Sequence, residues 1–257
     1  MKEKVFPFKF YLHKEIAKTK NLITELFFDE HIEEIRQRLF QSCFLIIFIM
    51  LIAFINIKTI VQIIEVPVTY VKFFQSSPGE YFVSTLKITL YTGLLFSIPG
   101  LLSQIIFFLL PGLTIKEKKV TLGLLITSCF LLFLGLIFSY YILIPAALNF
   151  FISYSSDVIE PLWSFNEYFS FILVLFISTG LMFQIPVIQI ILSFSHLITG
   201  EKMLSLWKYV LLSSTVIGAV LTPSADPLTQ VLLSGAVFLL YLLGSVFAIF
   251  FTKSMLV

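Results

Sequence analysis

The sequence predicts an all-α integral membrane protein of six kinked transmembrane helices, with both termini on the cytoplasmic side or its equivalent. Three observations carry that expectation. The 257-residue chain is 58% hydrophobic and only 12% charged, with thirty Phe and a mean hydropathy of +1.01. A soluble domain of this length could not hide so much apolar surface. Six apolar runs follow one another, most long enough to cross a hydrocarbon core of roughly 30 Å, and Lys and Arg fall very unequally on the two sets of connections between them.

The spans fall near 42–64, 84–110, 120–144, 168–193, 206–221 and 228–251. Residues 1–41 make an N-terminal tail, 42–252 a six-span membrane domain and 253–257 a short C-terminal tail. The first run is too long, and starts too late, for a cleavable signal peptide. Breakers or charge fill each gap: Ser76-Ser77-Pro78-Gly79-Glu80, Pro111-Gly112 with Lys116-Glu117-Lys118-Lys119, Ser155-Ser156-Asp157, Thr199-Gly200-Glu201-Lys202 and Thr222-Pro223-Ser224-Ala225-Asp226-Pro227. The fifth run covers only about 24 Å at 1.5 Å per residue, so its helix is short or the bilayer thins around it. Pro99, Pro145 and Pro186 lie within or at the end of spans two, three and four, where each would bend its helix.

Fourteen of the seventeen Lys and Arg lie in the N-terminal tail, the second-to-third and fourth-to-fifth connections and the C-terminal end. Lys58, Lys72 and Lys87 are the exceptions. Positive charge is retained on the cytoplasmic side, which sets the orientation. The opposite face carries Glu65, Glu80, Asp157, Glu160, Glu167 and Asp226 and is acidic.

No Asp, Glu, Arg or His lies near the middle of a span, and Lys87 is close enough to an end to snorkel outward. The deep polar groups are Gln104 and Gln184, with Gln189 nearer the cytoplasmic end. Gln184 precedes Pro186, which frees a backbone carbonyl. It either bonds to that opened backbone or a neighbouring helix, or it contacts substrate or partner.

Several chemistries find no support in the sequence. There is no P-loop pattern. His13, His31 and His196 lie outside the middle of the spans, which argues against haem held between helices. No nucleophile elbow or His-Glu-x-x-His site appears, and Cys43 and Cys129 sit in apolar runs as small hydrophobes. A net charge of +2 is too small to suggest nucleic acid. The chain reads as a binding and conducting component without metal or cofactor, not an enzyme. A small-solute transporter or channel is the rival class. It predicts an internal repeat and an interrupted or charged midplane site, and neither is evident.

One feature stands apart from the spans. Asp29, Glu30, Glu33 and Glu34 stand with Arg36 and Arg38 directly before the first span, where positive charge is the rule. Such a strip either caps the span as a solvated helix face or attracts a cationic ligand. The segment His31-Ile32-Glu33-Glu34-Ile35-Arg36-Gln37-Arg38-Leu39 resembles the signature of the TatC family, the receptor subunits of the twin-arginine protein translocase. Phe108-Leu109-Leu110-Pro111-Gly112-Leu113-Thr114 with Glu117 is similar to that family's first inner loop. Phe183-Gln184-Ile185-Pro186-Val187 is similar to its fourth-helix motif, and Leu221-Thr222-Pro223-Ser224-Ala225-Asp226 with Thr229-Gln230 to its last turn.

The resemblance implies a subunit that binds signal peptides bearing consecutive arginines and moves folded cargo using the proton-motive force. It implies partnership with TatA-type and TatB-type single-span subunits in an oligomeric complex embedded in membrane lipid. Glu34 and Glu117 would receive the arginine pair, with Arg36 and Phe108 joining that site. Pro67, Pro111, Gln184 and Asp226 would serve structure or partner contact. For Glu117, pairing with Lys116 or Lys118 remains open, as does a capping role for Asp226. Many members carry Glu where this chain has Gln184, so a titratable intramembrane group is missing. The first 27 residues match no motif; they read as an interfacial helix or a basic tail. Leu-Pro-Gly-Leu-Thr is similar to cyanobacterial and plastid members, and the abundance of Phe, Ile and Lys suits an AT-rich genome. The expected location is a plastid thylakoid membrane, with a bacterial plasma membrane as the alternative.

Overall fold

The computed structural model describes residues 32–66, 72–109, 115–155, 162–195, 197–222 and 227–256; for residues 72, 115–117, 119–122, 155 and 254–256 the description is of the backbone alone. The chain divides into two units, Met1–Phe44 and Leu45–Val257. In the first, the described residues are all helical: they begin α1 (Ile32–Ile55), which ends in the second unit. Glu33, Glu34, Arg36 and Arg38 of the acidic strip therefore lie in the first turns of a helix, while Asp29 and Glu30 lie outside the described residues.

The first span, expected as one helix over 42–64, is interrupted. The Asn56 amide Nδ2 donates to the Ile52 carbonyl at 2.9 Å. That carbonyl also accepts the Asn56 N–H at 3.2 Å, and past this doubly bonded turn α2 (Ile57–Glu65) starts afresh. Then follow β1 (Lys72–Phe74), α3 (Glu80–Leu109), α4 (Ile115–Phe138), a π-helical turn (Ser139–Leu143) and α5 (Ile144–Ser155). The rest is β2 (Leu162–Ser164), α6 (Phe165–Met182), α7 (Ile185–Phe194), α8 (Gly200–Ser205), α9 (Trp207–Leu221) and α10 (Pro227–Leu256). Helix α10 extends to Leu256, past the end expected for the sixth span.

Among the described residues, five helical stretches are long and apolar enough to cross a membrane: Ile32–Ile55, Glu80–Leu109, Gly123–Tyr154, Phe165–Phe194 and Pro227–Lys253. Trp207–Leu221 is apolar but only 15 residues long, the short element that the fifth run predicts.

The three prolines are accommodated differently. Helix α3 stays continuous through Pro99. Ahead of Pro145 the backbone widens, and the Ile144 N–H donates to the Ser139 carbonyl five residues back. At Pro186 the helix breaks, and a turn at Phe183-Gln184 separates α6 from α7. Ser and Thr hydroxyls in the spans return to carbonyls of their own helices, as Thr89 does to Thr85 at 2.9 Å and Ser97 to Leu94 at 2.7 Å. That leaves few polar atoms facing hydrocarbon.

Helix α3 packs mainly on α6, and α10 on α7 and α9. One apolar core joins α2, α3, α5 and α6 around Ile88, Ile144, Phe169 and Leu175; another joins α3, α4, α7 and α10 around Leu102, Ile106, Leu132 and Val187. Where α3 and α6 begin, β1 and β2 pair in parallel, Phe73 opposite Trp163. The buried Glu80 carboxylate holds this end together: it accepts from Ser164 Oγ at 2.5 Å, from the Asn166 N–H at 2.9 Å and from the Ser76 N–H. Lys87 does reach toward these helix ends, but it is fixed by protein: Nζ donates to Asn166 Oδ1 at 2.9 Å and Ser170 Oγ at 3.4 Å. Trp163 of β2 stacks on Tyr168, Phe73 of β1 packs tilted against the same ring, and the Tyr168 hydroxyl donates to the Ile64 carbonyl at 2.8 Å.

Helices α7 and α10 meet at Gly244. A Cβ there would lie 2.0 Å from Gln189 Oε1 and 2.7 Å from the Pro186 Cα. Small residues allow such backbone approach in membranes. Gly244→Val should destabilise the protein by about 1–3 kcal/mol through overpacking, lowering the melting temperature in detergent by roughly 3–10 °C; unchanged melting would show that these helices do not pack at this depth.

Candidate functional site

Two polar constellations stand out, one in each unit. In the first, consecutive carboxylates on α1 are paired along their own helix. Arg36 Nη2 lies 2.5 Å from Glu33 Oε1, and both side chains are largely exposed. Arg38 reaches Glu34 four residues back through Nη2 at 2.5 Å and Nε at 3.1 Å. Both contacts fall on the same oxygen, Oε1. Glu34 is also the less accessible of the two carboxylates, its side chain 31% exposed against 48% for Glu33. Spacings of three and four bring these pairs onto shared helix faces. Such exposed pairs each contribute only about 0–1 kcal/mol, so the pairing is exchangeable.

In the second unit the centre is Gln184, 1% exposed. Pro186 has no N–H, so the helical ladder cannot continue across the turn, and the Gln184 amide faces α4. Ser128 Oγ donates to Gln184 Oε1 at 2.6 Å, and Gln184 Nε2 donates to the Ser128 carbonyl at 3.2 Å. The amide thus meets one residue through both its ends. One turn along α7, Gln189 Nε2 donates to the Tyr241 carbonyl at 3.2 Å and to Ser245 Oγ at 3.0 Å on α10. Phe108 lies half-buried in the last turn of α3.

A profile described as Sec-independent protein translocase protein (TatC) matches residues 30–236, most of the chain. The chain belongs to the TatC family. It is 54% identical over 254 residues to an uncharacterized tatC-like protein, ycf43, of Trieres chinensis, covering 93% of this chain and 97% of that relative. It is 48% identical to the chloroplastic Sec-independent protein translocase protein TATC of Oryza sativa, over 84% of this chain and 61% of that protein. A crystal structure of the twin-arginine translocase receptor TatC in DDM superposes with a TM-score of 0.76 at 32% identity, covering 85% of this chain and 99% of that one. The family resemblance drawn from the four motifs therefore holds. The chain is a multi-pass TatC component of a protein translocase, and the small-solute transporter alternative is set aside.

Of the residues expected at the site, Glu34 and Arg36 belong to the first unit, Phe108 and Gln184 to the second. Glu117 stands in the first turn of α4, with only its backbone described. Pro67, Pro111 and Asp226 lie outside the described residues. Sequence reasoning missed Ser128: a serine in an apolar run carries no signal of a partner 56 positions away. It also missed Glu80, which reads in sequence as one more acidic loop residue.

Removing the α4 tie should be costly because it strands a buried group. Gln184→Leu leaves Ser128 unpaired and should cost about 1–3 kcal/mol. Gln184→Glu keeps an acceptor for Ser128 Oγ and should cost less. Chemical denaturation of the detergent-solubilised variants checks both, and equal costs would mean that the hydrogen bond contributes nothing.

Proposed function

We propose that this TatC-family chain is the signal-peptide-binding core of a twin-arginine translocase in a plastid thylakoid membrane. On this reading it crosses the membrane six times, Trp207–Leu221 being the short fifth crossing, with both termini in the stroma. It assembles with TatA-type and TatB-type single-span subunits, and the proton-motive force drives transport.

The observation that carries the proposal is the acidic strip on α1. Arg36 occupies Glu33, while Arg38 bonds to Glu34 through one oxygen. An incoming guanidinium would bond to Glu34 Oε2 or displace Arg38 from Oε1. Arginine presents a planar fork that matches a carboxylate, whereas lysine presents a point charge. One exposed pair contributes too little to select a signal peptide. Charge-assisted bonds to both Glu34 and Glu117 could each reach about 1.5–3 kcal/mol, enough to separate paired arginine from paired lysine. Phe108 would add apolar contact beside the charged pair. Pro67, Pro111 and Asp226 would shape the connections, and Gln184, already tied to Ser128, would hold the fourth span in the form its partners meet.

Site-specific photocrosslinking tests the receptor role. Probes beside positions 34 and 117 should label a twin-arginine signal peptide and not its twin-lysine counterpart. Glu34→Ala or Glu117→Ala should lower affinity roughly tenfold or more. Equal labelling by both peptides would return the strip to a structural role.

Helix α9 supports a second element of the proposal. At 15 residues it spans about 22 Å, so the bilayer thins locally, which lowers the barrier to a folded cargo. Inserting one helical turn into α9 should abolish transport of a folded reporter while leaving signal-peptide binding intact. Full transport by that variant would reject thinning.

A further inference from the structure

A lateral groove of about 460 Å³ lies between α2, α3, α6 and the end of α4 with its π turn. Its walls include Tyr91, Leu95, Phe96, Ile137, Leu173 and Ile177, and they are overwhelmingly apolar. A volume of roughly 300–1,000 Å³ holds a molecule of drug size. An acyl chain fits that shape and that chemistry.

What lies at one end of the groove specifies the occupant further. Lys87 precedes Tyr91 by four residues and Leu95 by eight, so all three share one face of α3. On α6, Ser170 precedes Leu173 and Ile177 by three and seven. The Lys87 ammonium, bonded to Ser170 and Asn166, therefore sits about one turn beyond the groove, toward the β1–β2 pair. Both its acceptors are uncharged. Among the described residues the ion pairs are Arg36–Glu33 and Arg38–Glu34, and neither involves Lys87. An ammonium has three N–H donors; two are used here on neutral oxygens, while the Glu80 carboxylate bonds to the Asn166 N–H rather than to Lys87. Uncompensated charge near hydrocarbon is costly.

We infer that this groove is a binding site for an anionic lipid, with one acyl chain lying along the walls formed by α2, α3, α6 and the end of α4 and the phosphate or sulfonate head group on Lys87. The leaflet is the one adjoining the β1–β2 pair. The neutral acceptors Asn166 and Ser170 orient the ammonium, and Ser84, which donates to the same Asn166 oxygen at 3.3 Å, steadies that acceptor.

The test uses the full chain in vesicles doped with phosphatidylglycerol or phosphatidylcholine carrying the same diazirine-tailed acyl chain, with labelled peptides mapped after irradiation. Phosphatidylglycerol should label the α3 and α6 segments lining the groove about fivefold more than phosphatidylcholine, the preference expected of one lysine. Lys87→Gln should bring the two lipids to parity, Lys87→Arg should keep the preference, and Ile137→Trp should reduce labelling by both. Equal labelling of the unsubstituted protein by both lipids overturns the head-group assignment without any variant having to fold. Protection of the groove from both lipids, with benzoylphenylalanine at position 96 capturing a protein segment instead, overturns the lipid site altogether.

Discussion

The reciprocal bond between Ser128 and Gln184 meets the constraint that governs everything else in this chain: no water is available inside the membrane to satisfy a buried polar group. Pro186 removes one rung of the ladder, and the turn at Phe183-Gln184 opens α6–α7 at depth. The N–H groups of the turn stay paired, Phe183 to Thr179 and Gln184 to Leu181, so the buried group left to satisfy is the glutamine side chain. The buried glutamine converts the break into a cross-link to α4, and Gln189 makes the next one, to α10. The fourth span becomes the element to which α4 and α10 are both tied. Its irregularity is what lets it serve as a hub.

The β1–β2 end solves the same problem with a charge. Loops leaving the membrane must re-enter it at a defined place, and a three-residue parallel pair is too small to hold itself. Glu80 supplies what the strands lack. Its carboxylate gathers donors from the loop before α3 and from the start of α6, sites more than eighty positions apart in the chain. Lys87, two turns along α3, binds the side chain of the same Asn166 whose backbone Glu80 holds. Carboxylate and ammonium thus act on one residue from two directions, and the start of α6 is fixed relative to α3. The lipid groove lies directly below that fixed point.

Much of this was legible in the sequence because the membrane makes composition informative. Long apolar runs became helices, the short fifth run became a short helix, and four local motifs pointed to the family. What escaped was non-local or compensatory. The first span is interrupted at Asn56, a position that no hydropathy window records. Pro99 leaves α3 continuous while Pro186 breaks α6 from α7, and the difference lies in packing that the dipeptides Pro99-Gly100 and Ile185-Pro186 do not encode. Among the site residues, Gln184 was legible as buried and polar, but its partner was not. Glu34 stood out as a charge in the wrong place, and its pairing with Arg38 followed from helical spacing once the strip proved to be helix.

That pairing bears on how recognition can be selective at all. A naked carboxylate at the membrane surface would bind any cation, including lysine. A carboxylate already holding an arginine gives up a forked contact to accept another ligand, so only a ligand with equal or better geometry displaces it. On the proposed reading Arg38 would act as a threshold. Lysine offers one point of charge and cannot replace the two bonds from Nε and Nη2 to Oε1, whereas an arginine can replace them in kind. On the proposed reading the strip on α1 would discriminate because it is already satisfied, and an exchange of pairs each contributing about 0–1 kcal/mol would let the signal peptide be released.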